Sequence, residues 1–145
     1  MPNLLDTHIE NRWIVQPNHA NSLDTAHGGN VMKWMDEAGA MSAMHFTGET
    51  CVTAHMDEVN FKRPIPVGDI ALVKSYVYRA GDTSVGVRTR VFRERPGTAP
   101  EQLTTESYVV FVAIDEERTP VPVPDLVVDT ERGRELREAA LADAP

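Results

Sequence analysis

The 145-residue chain is 41% hydrophobic and 25% charged, with a formal net charge of -8 and a pI near 5.0, which fits one domain with its own core and excludes a disordered chain. The acidic balance argues against a nucleic-acid surface, whose footprint is basic. No apolar run approaches the roughly 20 residues of a membrane span, and MPNLLDTHIENR lacks the basic start and apolar block of a secretory signal, so no membrane partner and a cytoplasmic location are expected.

Residues 4–15 carry Ile9, Trp13 and Val15 among polar neighbours, which predicts a short first strand. A polar loop with helix-start chemistry follows, rich in Asn, Ser, Asp and Gly up to Gly29. The stretch HGGNVMKWMDEAGAMSAMH then has a helical period. Val31, Met35, Ala38 and Ser42 fall on one line, with Trp34 and Met41 beside it, so this line is expected to be buried. Gly48 is the expected stop. Asp36 projects at the border of that face, near Met32, Gly39 and Ala43, where a carboxylate needs a reason. Glu37 points roughly 100° away, toward Lys33 and Met41.

From Cys51 the period changes to 2. Val52, Ala54 and Met56 alternate with Thr53, His55 and Asp57, and a shift at Glu58 predicts a bulge before Val59 and Phe61. The prolines of 63–69 make a rigid turn. Strands are expected over 70–79, 83–94 and 103–114, joined by a hairpin at Ala80–Asp82 and a second loop over 95–102. TPVPVPDL reads as an extended surface segment. Residues 129–142 read as a marginal exposed helix or a frayed tail, because their composition is helical but poor in apolar residues. One strand, one long helix and then four strands imply an antiparallel sheet covering a central helix, an α+β fold. The single cysteine, Cys51, excludes an internal disulfide. Neither it nor His19, His45 or His55 shows metal-ligand spacing, so no metal site is expected.

The stretches NSLDTAHGGNVMKWMDEAGAMSA, VTAHMDEVNFKRPIPVGD, GDTSVGV, LTTESYVVFVAID and PVPVP, in this order over roughly residues 16–124, resemble the hotdog fold and, within it, the bacterial-type acyl-CoA thioesterases. The resemblance implies a hotdog domain over 1–124, with 125–145 as a C-terminal tail. It implies hydrolysis of an acyl-CoA thioester to free acid and coenzyme A, with no cofactor beyond the coenzyme A of the substrate. Members pair into a two-helix dimer and commonly assemble as a trimer of dimers. On this chain the family's catalytic carboxylate falls on Asp36, His27 sits at the position before the paired glycines, and Thr83 and Ser84 match an element near the nucleotide or pantetheine path.

Thioester hydrolysis needs a polarised carbonyl and an attacking water or carboxylate. Helix-start N–H groups at Gly28, Gly29 and Asn30 are placed for the first need, being free of intrahelical partners at the positive end of the dipole. The same glycines also serve simply to turn the chain into the helix, and the two readings stand side by side. Asp36 fits the second need, as general base or as nucleophile. Some relatives carry asparagine where Thr25 stands, so the group that orients water is left among Asn21, Asp24 and Thr25. For the phosphates of coenzyme A the basic residues are Lys62, Arg63, Arg88 and Arg90. Seven residues separate Gly29 from Asp36, about 10 Å along a helix, too far for one thioester carbon held within roughly 3.5 Å of its attacker. Two helices packed antiparallel across a two-fold axis would solve this, giving two shared sites per dimer. A hydroxyacyl dehydratase on the same fold would need a histidine acid/base and ranks low. A non-catalytic acyl-CoA sensor is the alternative.

Overall fold

The computed structural model describes residues 2–98 and 100–145, so one residue of the 95–102 loop, Ala99, lies outside the described residues. The first element differs from expectation. Leu4–Thr7 form a 3-10 turn, capped by the Asn3 side chain on the Leu5 N–H and closed by Thr7 Oγ1 donating to the Leu4 carbonyl at 2.6 Å. Strand β1 begins only at Ile9 and ends at Ile14.

Helix α1 spans Gly28–Thr47. His27 caps its start, and Gly48 stops it in the left-handed region at φ 70, donating its N–H to the Met44 carbonyl at 2.8 Å. Left-handed geometry carries no steric cost for glycine, which is why this position ends the helix. The predicted line Val31, Met35, Ala38 and Ser42 is buried. Its one polar member is satisfied: Ser42 and Ser75 hydroxyls share a 2.7 Å hydrogen bond, and Ser75 Oγ donates to the Ala38 carbonyl at 3.0 Å.

Strands β2 (Thr50–Phe61), β3 (Ile70–Ala80), β4 (Ser84–Glu94) and β5 (Gln102–Ile114) complete one antiparallel sheet of order β1-β3-β4-β5-β2. One face of the sheet wraps α1. The first half of the helix packs on Ile65, Ala71 and Val73. Its second half packs on Val77, Val85 and Phe111. β2 forms an edge of the sheet, and two of its apolar side chains, Val52 at 44% and Phe61 at 50%, are exposed. No helix among the described residues is long and apolar enough to cross a membrane.

The tail corrects two expectations. Helix α2, Glu131–Asp143, is neither marginal nor frayed. It lies on the sheet face opposite α1, burying Leu136 and Ala140 against Leu4, Tyr76, Tyr78 and Tyr108. Tyr76 and Tyr108 hydroxyls donate to the Leu136 and Ala140 carbonyls at 2.6 and 3.0 Å. A helix with few apolar residues is thus held by polar groups from the sheet. Beneath it Arg88 is 6% exposed and paired with Glu106 and Asp143 at 3.4 Å each, so it is not an open phosphate ligand. Replacing Leu136 with alanine is expected to cost about 2–4 kcal/mol, the usual loss for a buried leucine, seen as a lower urea midpoint at unchanged m-value.

Candidate active site

Positions four apart on α1, Gly28, Met32, Asp36, Ala40 and Met44, form one ridge. Its middle faces away from the core: Met32 and Met44 are 37% and 40% exposed, and Asp36 is half-buried. Thr53 Oγ1 donates to Asp36 Oδ1 at 2.5 Å. That leaves Oδ2 free for chemistry while the carboxylate is held in one orientation.

Thr53 was hidden from a plain strand reading. β2 pairs with β5 through Thr53 opposite Phe111 and His55 opposite Val110, so Ala54 is an unpaired extra residue. The bulge lets Thr53 and Met56, three residues apart, both face α1. Phe111 shows which side that is, since its ring would lie 3.1 Å from a Cβ placed on Gly39. The simple alternation of Val52 and Ala54 with Met56 is therefore broken, and Val52 turns to the other face. The bulge expected at Glu58 is also present, with that residue at φ 22 and a register shift between Asp57 and Asn60. Glu37, as expected, stands apart from Asp36, its carboxylate 3.9 Å from Lys33 Nζ on the solvent side.

At the helix start, Asn21 is fixed by its own loop. Its Oδ1 accepts the N–H groups of Leu23 and Thr25 at 2.9 and 3.2 Å, and its Nδ2 donates to Thr25 Oγ1 at 3.0 Å. Asp24 bends the chain between them at φ 57. These acceptor contacts set the amide orientation and leave one Nδ2 proton to offer. Thr25 spends its hydroxyl on Asn21, so it acts through Asn21. The Gly29 N–H is engaged by His27 Nδ1 at 3.0 Å, and the Asn30 and Val31 N–H groups by the His27 carbonyl at 2.9 and 3.1 Å. Among the described residues no acceptor takes the Gly28 N–H. Asn30 Nδ2 ties the helix to the His19 carbonyl at 3.0 Å.

A cleft of about 350 Å³ opens here, lined by Asn21, Thr25, Gly28, Phe61 and Arg63 among others. The Phe61 ring stands 3.4 Å from where a Gly28 side chain would begin, and it is a second residue not singled out from sequence. Arg63 is exposed, with Nη1 donating to the Leu103 carbonyl at 2.7 Å. Thr83 and Ser84 do not join this cleft. The Ser84 carbonyl closes the β3–β4 turn by accepting the Gly81 N–H at 2.8 Å, and the Thr83 carbonyl accepts the Ala113 N–H of β5 at 3.0 Å. They precede Val85, which packs with Phe46 at the far end of α1. Within one protomer the helix-start cleft, Asp36 and the Thr83–Ser84 turn are thus three separate places. Among the described residues, no group of three or more His, Cys, Asp or Glu side chains is arranged to hold a metal ion.

Comparison with known proteins bears on this geometry. Residues 23–100 match the family model described as the thioesterase superfamily. The chain is 35% identical over 130 residues to an uncharacterised acyl-CoA thioester hydrolase, YkhA, of Bacillus subtilis, covering 90% of this chain and 76% of the relative. It superposes with a TM-score of 0.89 and 29% identity on an acyl-CoA hydrolase of Staphylococcus aureus solved with butyryl coenzyme A, coenzyme A and coenzyme A disulfide, covering 97% of this chain and 86% of that one. A hexameric acyl-CoA thioesterase solved without ligand gives a TM-score of 0.88 at 35% identity, covering 97% and 90%. The Staphylococcus enzyme was also solved with an asparagine, an aspartate 15 residues later or a threonine 17 residues after that replaced by alanine. Asn21, Asp36 and Thr53 have the same residue types at the same spacing.

Proposed function

From the premise that this chain belongs to the thioesterase superfamily, we propose that it hydrolyses acyl-CoA thioesters at sites shared between two copies. The chain is a thioester hydrolase of the hotdog fold. The observation that carries the proposal is Asp36, a half-buried carboxylate oriented by Thr53 on an α1 ridge that its own protomer leaves uncovered.

In the reaction, the thioester carbonyl oxygen takes the Gly28 N–H, at the positive end of the α1 dipole. The role expected for Gly29 moves one residue back, because His27 already occupies the Gly29 N–H. Asp36 Oδ2 of the second copy takes the proton of an attacking water, or attacks the carbonyl carbon itself to give a mixed anhydride that water then opens. On the first route the carbon–sulfur bond breaks as the proton taken by Asp36 passes to sulfur; on the second, coenzyme A leaves as the thiolate and receives the proton of the water that opens the anhydride. Asn21 Nδ2 orients the water or the carbonyl, with Thr25 as its positioning residue. Single turnover in ¹⁸O-water tests the anhydride route: water that opens the anhydride at Asp36 Cγ leaves its label in the Asp36 carboxylate, whereas water attacking the acyl carbon labels only the free acid.

Eight residues separate Gly28 from Asp36, about 12 Å along the axis, so one helix cannot supply both groups to one thioester. Antiparallel packing of two ridges, with the exposed β2 edges beside them, places Gly28 of one copy near Asp36 of the other. It also carries the Thr83–Ser84 end of one copy toward the cleft of its partner. That cleft admits the acyl-pantetheine arm past Asn21 and Gly28, which line it, with Arg63 at its mouth for phosphate, while His27 and Asn30 support the helix start beside it. Coenzyme A is part of the substrate, and the scheme uses no further cofactor. Such dimers group in threes, as the hexameric neighbour supports.

A thiol-release assay over an acyl-CoA chain-length series tests the function. Turnover at one or more lengths is expected, and tight binding without turnover at every length would make the protein a sensor instead. Thr53→Val, which keeps shape but removes the donor, is expected to lower kcat about 10- to 100-fold. KM should stay within about threefold, because the hydroxyl acts on Asp36 and not on substrate binding.

A further inference from the structure

On the sheet face opposite α1, four charged residues stand in one row across the strands. Glu10 lies opposite Lys74, Lys74 opposite Arg90, and Arg90 opposite Glu106. Two like charges directly opposite each other in an antiparallel pair repel, and the carboxylates that would relieve Lys74 and Arg90 are unevenly used. Lys74 Nζ is paired with Glu101 at 2.8 Å, and Glu106 reaches Arg88 at 3.4 Å. Arg90 has no carboxylate within ion-pair distance among the described residues, and its buried Nε has no hydrogen-bond partner. Arg90 Cζ and Lys74 Nζ both lie over the same ring, 5.3 and 4.8 Å from the centre of Phe92.

Arg90 and Lys74 form one wall of a cavity of about 380 Å³. The 3-10 turn contributes Leu5 and His8, β1 contributes Glu10, and α2 contributes Arg132 and Leu136. Glu10 is the one acidic residue of this lining. Lys74 has its carboxylate in Glu101 and Arg132 has its own in Glu135 at 3.4 Å, so in this lining of a chain of net charge -8 Arg90 is the cation left without one among the described residues. Burial and the neighbouring Arg88 weaken the hold of Arg90 on its proton, and burial, followed by the charges of Lys74, Arg132 and Arg90 against the opposing Glu10, pushes His8 below its ordinary value. Arg90, with its Nε unpartnered and no carboxylate paired with it, is the group that an anion here would satisfy.

The geometry points to a phosphate-binding site in this cavity, separate from the α1 cleft, that takes the phosphate group of an inorganic or nucleotide ligand. Arg90 and Arg132 supply planar N–H pairs that match phosphate oxygens, and Lys74 supplies a mobile point charge. Leu5 and Leu136 close the cavity with apolar surface. Because the lining comes from the N-terminal turn, the sheet and α2, a bound phosphate bridges all three.

The test is calorimetric titration of the full-length protein with inorganic pyrophosphate at constant ionic strength, with thermal unfolding in parallel and AMP and inorganic phosphate as further arms. Saturable pyrophosphate binding with a rise in Tm is expected. Arg90→Met is expected to weaken it about tenfold or more, through the lost charge-assisted bonds. Arg132→Gln, at an exposed position with 65% side-chain exposure, tests the same site without touching the core should Arg90→Met unfold. Equal binding of phosphate and AMP marks a free-ion site and tighter AMP binding marks a nucleotide site, either of which supports the proposal. No saturable binding, or full binding retained in both variants, overturns it. Thiol release measured on the same samples keeps a failure here distinct from a failure at Asp36.

Discussion

Asp36→Asn is expected to lower kcat for thiol release by about 1,000-fold or more, because it removes the base or nucleophile while leaving a side chain of the same shape. Thr53 Oγ1 can still donate to the amide oxygen in place of the carboxylate it now meets at 2.5 Å. Asp36 makes no ion pair among the described residues and is half-buried, so the variant should fold with a nearly unchanged Tm. The measurement is initial-rate kinetics on the best substrate of the chain-length series, with substrate binding followed by calorimetry. Retained binding with lost turnover supports the assignment. A kcat within about tenfold of the parent would remove Asp36 from the chemistry, since general-base losses are larger.

Mixing two inactive subunits is expected to restore about a quarter of full activity if the sites are shared across a two-fold interface. One subunit carries Asp36→Ala and keeps a sound helix start. The other keeps Asp36 and carries Gly28→Val, whose branched side chain begins 3.4 Å from the Phe61 ring and covers the amide. Random pairing makes half of the dimers mixed, and each mixed dimer has one site with both good halves. Differently tagged subunits, co-expressed and purified over both tags, should give about half of parental activity from isolated dimers and about a quarter from trimers of dimers, nearly all of which carry both tags. If each protomer held a complete site, mixed dimers would stay inactive, and the separation of Gly28 from Asp36 along one helix would have to be bridged in some other way.

Much of the fold follows from short-range chemistry. The stop of α1 at Gly48 rests on a capping bond to a residue four positions away and so is visible in the local order of residues, whereas its start is capped by His27, not by Asn21 or Asp24. The buried line through Val31, Met35, Ala38 and Ser42 follows from helical period alone. The proline turn at 63–69 and the hairpin at 80–83 rest on local backbone restrictions. Asp36 was identifiable as an acidic residue on the edge of an apolar face, and its distance from the glycines is a matter of helix rise.

Other features depend on contacts between residues far apart in the chain. Thr53 meets Asp36 because Ala54 bulges out of the β2–β5 pairing, and a one-residue change of register sends every later side chain to the other face. α2 has too little apolar surface to predict its burial, and its place is set by Tyr76 and Tyr108 hydroxyls reaching its carbonyls. Arg88 and Arg90 read alike in sequence, yet one is paired beneath α2 and the other is left facing Lys74. The sequence by itself thus determined the central helix, its stop at Gly48, its candidate carboxylate and the antiparallel sheet. Only the tertiary structure decided which strand residue orients that carboxylate, which amide is free, and which cation is left uncompensated, because strand register and side-chain pairing are set by partners the local chain does not contain.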